Sequence, residues 1–271
     1  MLAAATVHFP YMTMWPDRAS AEHRSATLAG FAQLGRAYAD AGIETLVTFT
    51  SEHIVNLQPR LAPPFLIGVG DSHPAFPEPQ FNLAPVAWRG DPALAEELVG
   101  ALYAQGFDPA HSIELRLDHG TTLPLAQLGI GEGVAVVPVI INSIFPPLPT
   151  LQRCRQLGAA IAEALGRSTL GRRVGLLATG GLSHTVGAPG MERNDAAFDL
   201  GFMEALAAGD LERACSYPDA VLDASGNGTH EIRNWLAVAA AMHPQRPRVV
   251  NAIAFAPGWD AGVHQLAWDA A

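Results

Sequence analysis

The stretch Arg173-Val-Gly-Leu-Leu-Ala-Thr-Gly-Gly-Leu-Ser-His184 decides the fold. Its first half is a short apolar run that predicts a buried strand over residues 173–178, and the paired glycines Gly180 and Gly181 end that strand. His184 is therefore expected on a tight loop just beyond the C-terminal end of a strand. Ligands bind at this position in open α/β sheets, and an ionisable loop residue on a rigid scaffold is a good site candidate. A solvated loop histidine is the alternative interpretation of this segment alone.

Three further histidines follow an apolar segment in the same way: His8 after residues 4–7, His53 after residues 45–50, and His119 after residues 113–117. If these strands share one sheet, the four imidazoles meet at one edge, where Glu231 at the start of the last predicted helix could add a carboxylate. Two imidazoles and one carboxylate suit a non-haem Fe(II) oxygenase, and the other two histidines would be free for proton transfer. The spacing alone indicates a metal- or acid/base-dependent enzyme, with structural histidines as the alternative.

The composition argues against several classes of protein. A formal net charge of −10, from 26 acidic and 16 basic residues, disfavours a nucleic-acid-binding protein. No apolar run approaches the roughly 18 residues of a membrane-spanning helix, so no membrane partner is expected. Cys154 and Cys215 are far apart in sequence and indicate neither a disulfide framework nor a thiolate zinc site. The first eight residues lack the basic region of a signal peptide, which predicts a cytoplasmic location.

Alternating strands and helices predict a single three-layer α/β domain over residues 1–271, with a central mixed sheet flanked by helices and the active site at the C-terminal ends of the strands. The predicted strands are residues 4–8, 45–50, 65–69, 112–117, 134–141, 173–178 and, as the last one, 248–255. The predicted helices are residues 19–41, 92–105, 150–165, 196–208, and 229–242 with Thr229 as the N-cap. The proline-rich residues 59–92 are expected to pack as a long loop near the site, and the chain is expected to be irregular from Gly209.

Six segments, collinear over most of the chain, carry a resemblance to a known family: Pro63-Pro-Phe-Leu-Ile-Gly68, Asp118-His-Gly120, Val137-Pro-Val-Ile-Ile-Asn142, Pro147-Leu-Pro149, Gly180-Gly-Leu-Ser-His184 and Thr229-His-Glu-Ile-Arg-Asn-Trp235. They resemble the signature segments of class III extradiol ring-cleavage dioxygenases, the family of the protocatechuate 4,5-dioxygenase catalytic subunit and of 2,3-dihydroxyphenylpropionate 1,2-dioxygenase. The resemblance implies an Fe(II) enzyme that inserts both atoms of O2 into a catechol-type ring next to the diol and thereby cleaves the ring.

The same resemblance implies a role for each site residue. His8 and His53 match the two histidine ligands of the family's iron, and Glu231 matches its carboxylate ligand. His184 and His119 match the two acid/base histidines. In these roles His184 takes a proton from a ring hydroxyl, and His119 acts as the acid during ring cleavage.

The neighbours of these positions depart from the family pattern. Phe9 stands where the family usually has serine after the first ligand, and Glu52 precedes His53 where an aspartate is common. Asp118, beside His119 in sequence, is a candidate for orienting it. The departures leave the identity of the ring open: a catechol, a 2-aminophenol, a hydroxypyridine or a gallate-like compound. A zinc-dependent enzyme on the same scaffold and a non-catalytic subunit are two further interpretations of the sequence.

The expected partners are a small aromatic diol and O2, in a homo-oligomer, with the need for a partner subunit left open. His230 is expected beside the site or at the helix N-terminus rather than as a ligand. Arg153 and Arg155 are expected on a helix surface, and Arg233 and Trp235 in packing. The remaining histidines are expected at the surface: His23, His73, His111, His243 and His264.

Overall fold

The computed structural model describes residues 1–269, which form one large mixed sheet and a two-stranded hairpin. The strands are β1 Leu2–Thr6, β2 Thr45–Thr50, β3 Phe65–Gly68, β4 Ser72–Pro74, β5 Ala87–Arg89, β6 Ala110–Ser112, β7 Ala135–Ile141, β8 Val174–Thr179, β9 Arg248–Ala256 and β10 Ala261–Trp268. The helices are α1 Tyr11–Met14, α2 Ala21–Asp40, α3 Pro92–Ala104, α4 His119–Gln127, α5 Leu151–Arg167, α6 Ala196–Ala208, α7 Leu211–Cys215, α8 Asp219–Ala224 and α9 Ile232–Met242. Short 3-10 turns cover Pro16–Arg18, Pro79–Phe81 and Thr229–Glu231.

The large sheet has the strand order β6-β3-β7-β2-β8-β1-β10-β9. Its four central strands, β7, β2, β8 and β1, are parallel to one another. On one side β3 pairs antiparallel with β7, and β6 pairs parallel with β3. On the other side β10 is antiparallel to β1 and also to β9. The C-terminal ends of β1, β2 and β8 therefore share one edge, as predicted.

Helices cover both faces of the sheet, which gives the three layers that the sequence predicts. Alternate residues of the central strands contribute to two separate apolar clusters, as shown by Ala3 and Ala5 on one face of β1 and Leu2 and Ala4 on the other. The first cluster includes residues of α3, α5, α6 and α9, and the second includes residues of α2 and α4. Burial on both faces explains why residues 135–141 form an unbroken apolar run.

The predictions for most elements are confirmed, but α1, α4, β4 and β5 were not predicted, and the structure differs at three further places. The strand predicted at 112–117 is wrong, because β6 ends at Ser112 and the chain then runs irregularly to α4. The strand at 248–255 is present as β9, but it is not the last one, because a tight turn after Ala256 returns the chain as β10. The region after Gly209 holds the short helices α7 and α8, each too short for a clear helical period. No helix among residues 1–269 has the length and hydrophobicity to cross a membrane.

Two of the five histidines expected at the surface are buried. His73 in β4 is fully buried, and His264 in β10 is 4% exposed. His264 Nδ1 has no hydrogen-bond partner among the residues that the structure describes. Burial lowers the pKa of His264 to about 4, because the charged imidazolium would lose its hydration. Both positions lie in strands, where alternate side chains face the interior regardless of polarity.

The buried His264 makes stability fall in mild acid. Its pKa is lower in the folded state than in the unfolded chain, so the unfolded chain binds more protons as the pH falls from about 6.5 to about 4. We expect this residue alone to lower the free energy of unfolding by about 2 kcal/mol between about pH 7 and about pH 4.5. The measurement is urea unfolding of the natural protein and His264→Leu at both pH values. Groups common to both proteins cancel in the comparison, and equal pH dependence in the two would contradict the prediction.

Candidate active site

Three of the histidines selected from the sequence lie just after the C-terminal ends of neighbouring strands, at one edge of the sheet. His8 follows β1, His53 follows β2, and His184 follows β8, and these three strands are neighbours. The imidazole rings of His8 and His53 lie 5.0 Å apart, edge to face. The parallel strand order thus brings together residues that are far apart in the sequence.

Glu231 adds a buried carboxylate at this edge. It ends the 3-10 turn that leads into α9, and it is 5% exposed. Its Oε1 lies 3.2 Å from His8 Nε2 and 3.5 Å from His53 Nε2. The backbone N–H of Gly181 donates to Oε2 at 2.7 Å. Burial raises the pKa of Glu231, but the charge of His8 and hydrogen bonds from His53 and His8 outweigh this and hold the pKa well below its usual value.

Asp118 fixes the imidazole of His53. Its Oδ2 lies 3.2 Å from His53 Nδ1 and also accepts the backbone N–H of His53. A carboxylate only accepts hydrogen bonds, so Nδ1 carries a proton and Nε2 points to Glu231. Burial lowers the pKa of His53, but Asp118 and Glu231 raise it well above the usual value. The charge of His53 in turn lowers the pKa of Asp118 to about 2, against the effect of burial.

His119 reaches the same edge by a route that the sequence analysis did not predict. β6 runs antiparallel to the central strands, so its C-terminal end lies at the opposite edge of the sheet. The irregular residues 113–118 bring the chain back, and α4 starts at His119 with Asp118 as its N-cap. The ring of His119 stacks on His53 with centroids 4.1 Å apart.

Glu78, rather than Asp118, orients His119, which corrects the sequence-based prediction. Glu78 Oε1 lies 2.8 Å from His119 Nδ1, and its Oε2 accepts the His119 backbone N–H at 2.6 Å. Phe81 packs edge-on against the same imidazole at 4.7 Å. Burial lowers the pKa of His119, and the nearby charge of His53 lowers it further. Glu78 and Phe81 belong to residues 59–92, which confirms that this loop packs at the site.

His184 is held by the backbone. Its Nδ1 lies 2.9 Å from the carbonyl oxygen of Leu182, which can only accept, so Nδ1 carries the proton. Its Nε2 is 3.8 Å from Glu231 Oε2. A Cβ at Gly228 would lie 2.1 Å from this Nε2, so only glycine leaves room for the ring.

The donor atoms at this edge fit a divalent cation in two overlapping ways. Ligand atoms of His8, His53 and His119 all lie within 4.8 Å of one another. In the second combination, the carboxylate of Glu231 lies 3.2 Å from His8 Nε2 and 3.5 Å from His53 Nε2. Two ligands about 2.1 Å from one ion, at angles of 90° to 110°, are about 3.0 to 3.4 Å apart. The two separations between Glu231 and the imidazoles thus match the spacing of metal ligands.

A cavity of about 710 Å³ opens beside this cluster. His53, His184 and Glu231 form one end of it, and Ile54 stands at its wall. Ile54 is 61% exposed and has a φ of 66°, a left-handed conformation that a β-branched side chain rarely adopts. Such strain is frequent beside functional sites, and the cavity is large enough for a substituted aromatic ring.

The remaining residues of the last helix have structural contacts. Thr229 is buried without a side-chain cap, so its predicted N-cap role is wrong, and Gly228 occupies that position. His230 lines the cavity and bonds Asp223 and Arg233, in agreement with a supporting position beside the site.

The tryptophan and the two arginines of the helix surface also lie where the sequence predicts. Trp235 is fully buried, with its Nε1–H donating to the carbonyl of Gly180. Arg153 and Arg155 lie on α5, away from the cavity lining.

Comparison with known proteins identifies the family. A family model described as the catalytic LigB subunit of aromatic ring-opening dioxygenase matches residues 2–262. A 2,3-dihydroxyphenylpropionate/2,3-dihydroxicinnamic acid 1,2-dioxygenase from Mycobacterium sp. (strain MCS) is 32% identical over 73% of this chain and 76% of the relative. A second enzyme with this name, numbered 1, from Dechloromonas aromatica (strain RCB) is 28% identical over 89% of this chain and 91% of the relative. The crystal structure of an uncharacterised protein from Escherichia coli K12 shares the fold, with a TM-score of 0.60, 16% identity and 99% of each chain covered.

The chain belongs to the LigB family of class III extradiol dioxygenases, which confirms the resemblance seen in its sequence. The protein is a dioxygenase that cleaves aromatic rings, and its fold gathers three histidines that could bind a metal ion.

Replacing Gly228 by alanine tests whether the position of His184 matters. The backbone at Gly228, with φ −82° and ψ −13°, suits alanine, so the added Cβ acts only by pushing the imidazole away. We expect kcat for ring cleavage to fall by about 10²-fold or more in Gly228→Ala, as for loss of a proton-transfer group. Oxygen uptake measures the rate, and a crystal structure of the variant shows the ring position.

The matched control is Gly166→Ala in α5, where no atom lies within 4 Å of the added Cβ. This variant should keep the natural rate and gain about 0.5 to 1 kcal/mol of stability from helix propensity. A natural rate in Gly228→Ala would show that the placement of His184 is unimportant.

Proposed function

We propose that the protein is a non-haem Fe(II)-dependent extradiol dioxygenase that acts on a dihydroxyphenyl compound, with His8, His53 and Glu231 holding the iron. The observation that carries the proposal is the approach of one carboxylate oxygen to two imidazole Nε2 atoms, at 3.2 and 3.5 Å. Three atoms with lone pairs at this spacing repel one another unless protons or a cation lie between them. Two histidines and one carboxylate leave coordination positions free for substrate and O2.

Glu231 is a better third ligand than His119. A carboxylate offsets one positive charge of a buried divalent ion, whereas a third imidazole would leave both uncompensated. The Nδ1 of His119 is already bonded to Glu78, and its ring stacks on that of His53. The carboxylate of Asp118 on His53 Nδ1 is the carboxylate–histidine arrangement that commonly supports a metal ligand.

When bound, Fe(II) would supply a Lewis acid for the diol and a path for electrons from the ring to O2. The cavity beside it would take the aromatic ring against apolar residues such as Ile144 and Leu148.

His184 is the proposed base. Because its Nδ1–H donates to the carbonyl of Leu182, the lone pair is on Nε2, and Nε2 is the atom nearest to Glu231. A ring hydroxyl placed beside Glu231 could therefore give its proton to His184 Nε2. The backbone carbonyl holds this tautomer without adding a charge.

His119 is the proposed acid. Glu78 accepts from Nδ1, so a proton that His119 delivers would be the one on Nε2 of its positively charged ring. Phe81 and His53 pack against the two sides of the ring and fix its plane.

The names of the relatives support a dihydroxyphenyl substrate and the use of O2. The altered neighbours of the ligands keep 2-aminophenol, hydroxypyridine and gallate-like rings as alternatives. Zinc stays the alternative metal. A single domain, a cytoplasmic location and a homo-oligomer stay predictions.

Metal content distinguishes the two overlapping ligand sets. We expect Glu231→Ala to lose most of its iron after anaerobic loading and desalting, because one of three ligands is removed. His119→Ala should keep an equimolar amount, and atomic absorption measures both. Full iron content in Glu231→Ala together with loss in His119→Ala would assign the third ligand to His119 instead.

Turnover tests the iron and the base together. Apo-protein loaded anaerobically with Fe(II) should consume O2 with a catechol and give a yellow ring-opened product, and Zn(II)-loaded protein should not. In the Fe(II) protein, His184→Ala should keep the metal and lose about 10²- to 10⁴-fold in kcat. The control is His111→Ala, an exposed histidine of β6. The proposed function fails if Fe(II) protein consumes no O2 with catechols, 2-aminophenol, hydroxypyridines or gallate.

A further inference from the structure

The lining of the cavity includes two aspartates as well as the imidazoles. Asp219 and Asp223 line it together with apolar residues such as Ile144 and Leu148. Both aspartates lie on α8, and their side chains are 57% and 69% exposed. A substituent on the aromatic ring would therefore meet two carboxylates as well as hydrocarbon.

The guanidinium of Arg233, which lies beside these aspartates, is already engaged. Arg233 is fully buried, and its Nη2 donates to Asp219 at 2.7 Å. Its Nη1 lies 2.6 Å from His230 Nδ1, and its Nε donates to the carbonyl of Pro149 at 2.8 Å. His230 donates from Nε2 to Asp223 at 2.8 Å. One guanidinium against two carboxylates leaves this wall with a formal charge of −1 and directs the donors of Arg233 away from a substrate in the cavity.

Other cations do not reach the cavity lining. The sequence contains no lysine, so all 16 basic residues are arginines. Arg153 bonds the carbonyl of Gly106, and Arg155 pairs with Glu212. Arg193 lines a neighbouring surface groove and pairs with Glu192 at 3.4 Å. Apart from the imidazoles, the described residues that line this cavity include no basic side chain.

We propose that the substrate's ring substituent is uncharged or cationic, and that Asp219 and Asp223 select against a carboxylate there. This inference rests on the proposed function and narrows its substrate class. The inferred substrate differs from that in the names of the relatives, a phenylpropionate, whose substituent is an anion at neutral pH.

Electrostatic repulsion is large enough to give this selectivity. Two like charges about 6 Å apart, at an effective dielectric constant of about 40, change an equilibrium constant by about tenfold. The effect should weaken in salt, because the aspartates are partly exposed and the Debye length at 1 M is about 3 Å.

The test compares catechols that share the diol and differ only in the charge of a three-carbon substituent at C3. We expect kcat/KM, measured by O2 uptake, to be at least tenfold higher for the propionamide and the aminopropyl compound than for the propionate. In 1 M NaCl this ratio of kcat/KM values should become smaller. A propionate turned over as fast as the amide would overturn the inference.

A binding measurement separates this inference from the proposed function. Calorimetry of the metal-free protein with phenylpropionamide and phenylpropionate, which lack the diol, should show tighter binding of the amide. If no catechol, 2-aminophenol, hydroxypyridine or gallate is turned over, the proposed function is wrong, and the inference is then decided by this binding difference alone. Equal binding of the two ligands would then reject it.

Asp223→Asn tests the residue itself. Asparagine keeps an acceptor for His230 and removes the charge, so the preference for amide over propionate should fall about threefold or more. The control Asp40→Asn makes the same change in net charge at an exposed position of α2. An unchanged preference in Asp223→Asn, or an equal fall in Asp40→Asn, would contradict the assigned role.

Discussion

The buried carboxylate of Glu231 is the constraint on which the site depends. An isolated charge at 5% exposure would be too costly to keep, so the fold must surround it with donors. The donors come from three separate strand ends: His8 after β1, His53 after β2, and the backbone N–H of Gly181 after β8. Each donor lowers the free-energy cost of burying the Glu231 carboxylate, so the loops that carry the donors have to converge. The cluster that could hold a metal ion therefore also stabilises this buried charge.

One glycine, Gly180, and the start of α9 hold this carboxylate in place. Gly180 has a φ of 136°, and a Cβ there would lie 2.8 Å from Glu231 Cβ, so β8 can pass this close only as glycine. Asn234 donates to the carbonyl of Thr179 and Trp235 to that of Gly180, which joins the start of α9 to the end of β8. These two hydrogen bonds fix the turn before α9 relative to the sheet, so Glu231 cannot move away from the strand ends without breaking them.

The sequence predicted the elements whose signals are local and missed those fixed by distant partners. The apolar run at residues 45–50 predicted β2 with its observed bounds, and α6 was also predicted with its observed bounds. The paired glycines predicted the loop that carries His184. The direction of β6 depends on its pairing with β3, so the path to His119 had no local signal. Asp118 lies beside His119 in the chain, yet it bonds His53, 65 residues away, because as the α4 N-cap it points back toward the residues after β2. Glu78 was missed for the same reason, since its only local mark is a position between two prolines.

The two histidines with proposed proton-transfer roles differ in what holds Nδ1, and this difference supports giving them different roles. A backbone carbonyl holds His184, which keeps a proton on Nδ1 without adding a negative charge there and leaves Nε2 to accept a proton. A carboxylate holds His119, and Glu78 can compensate a positive ring while a proton is on Nε2. Burial and the charge of His53 act against that positive state and lower the pKa of His119. A ring that can carry the proton but holds it weakly is suited to donating it.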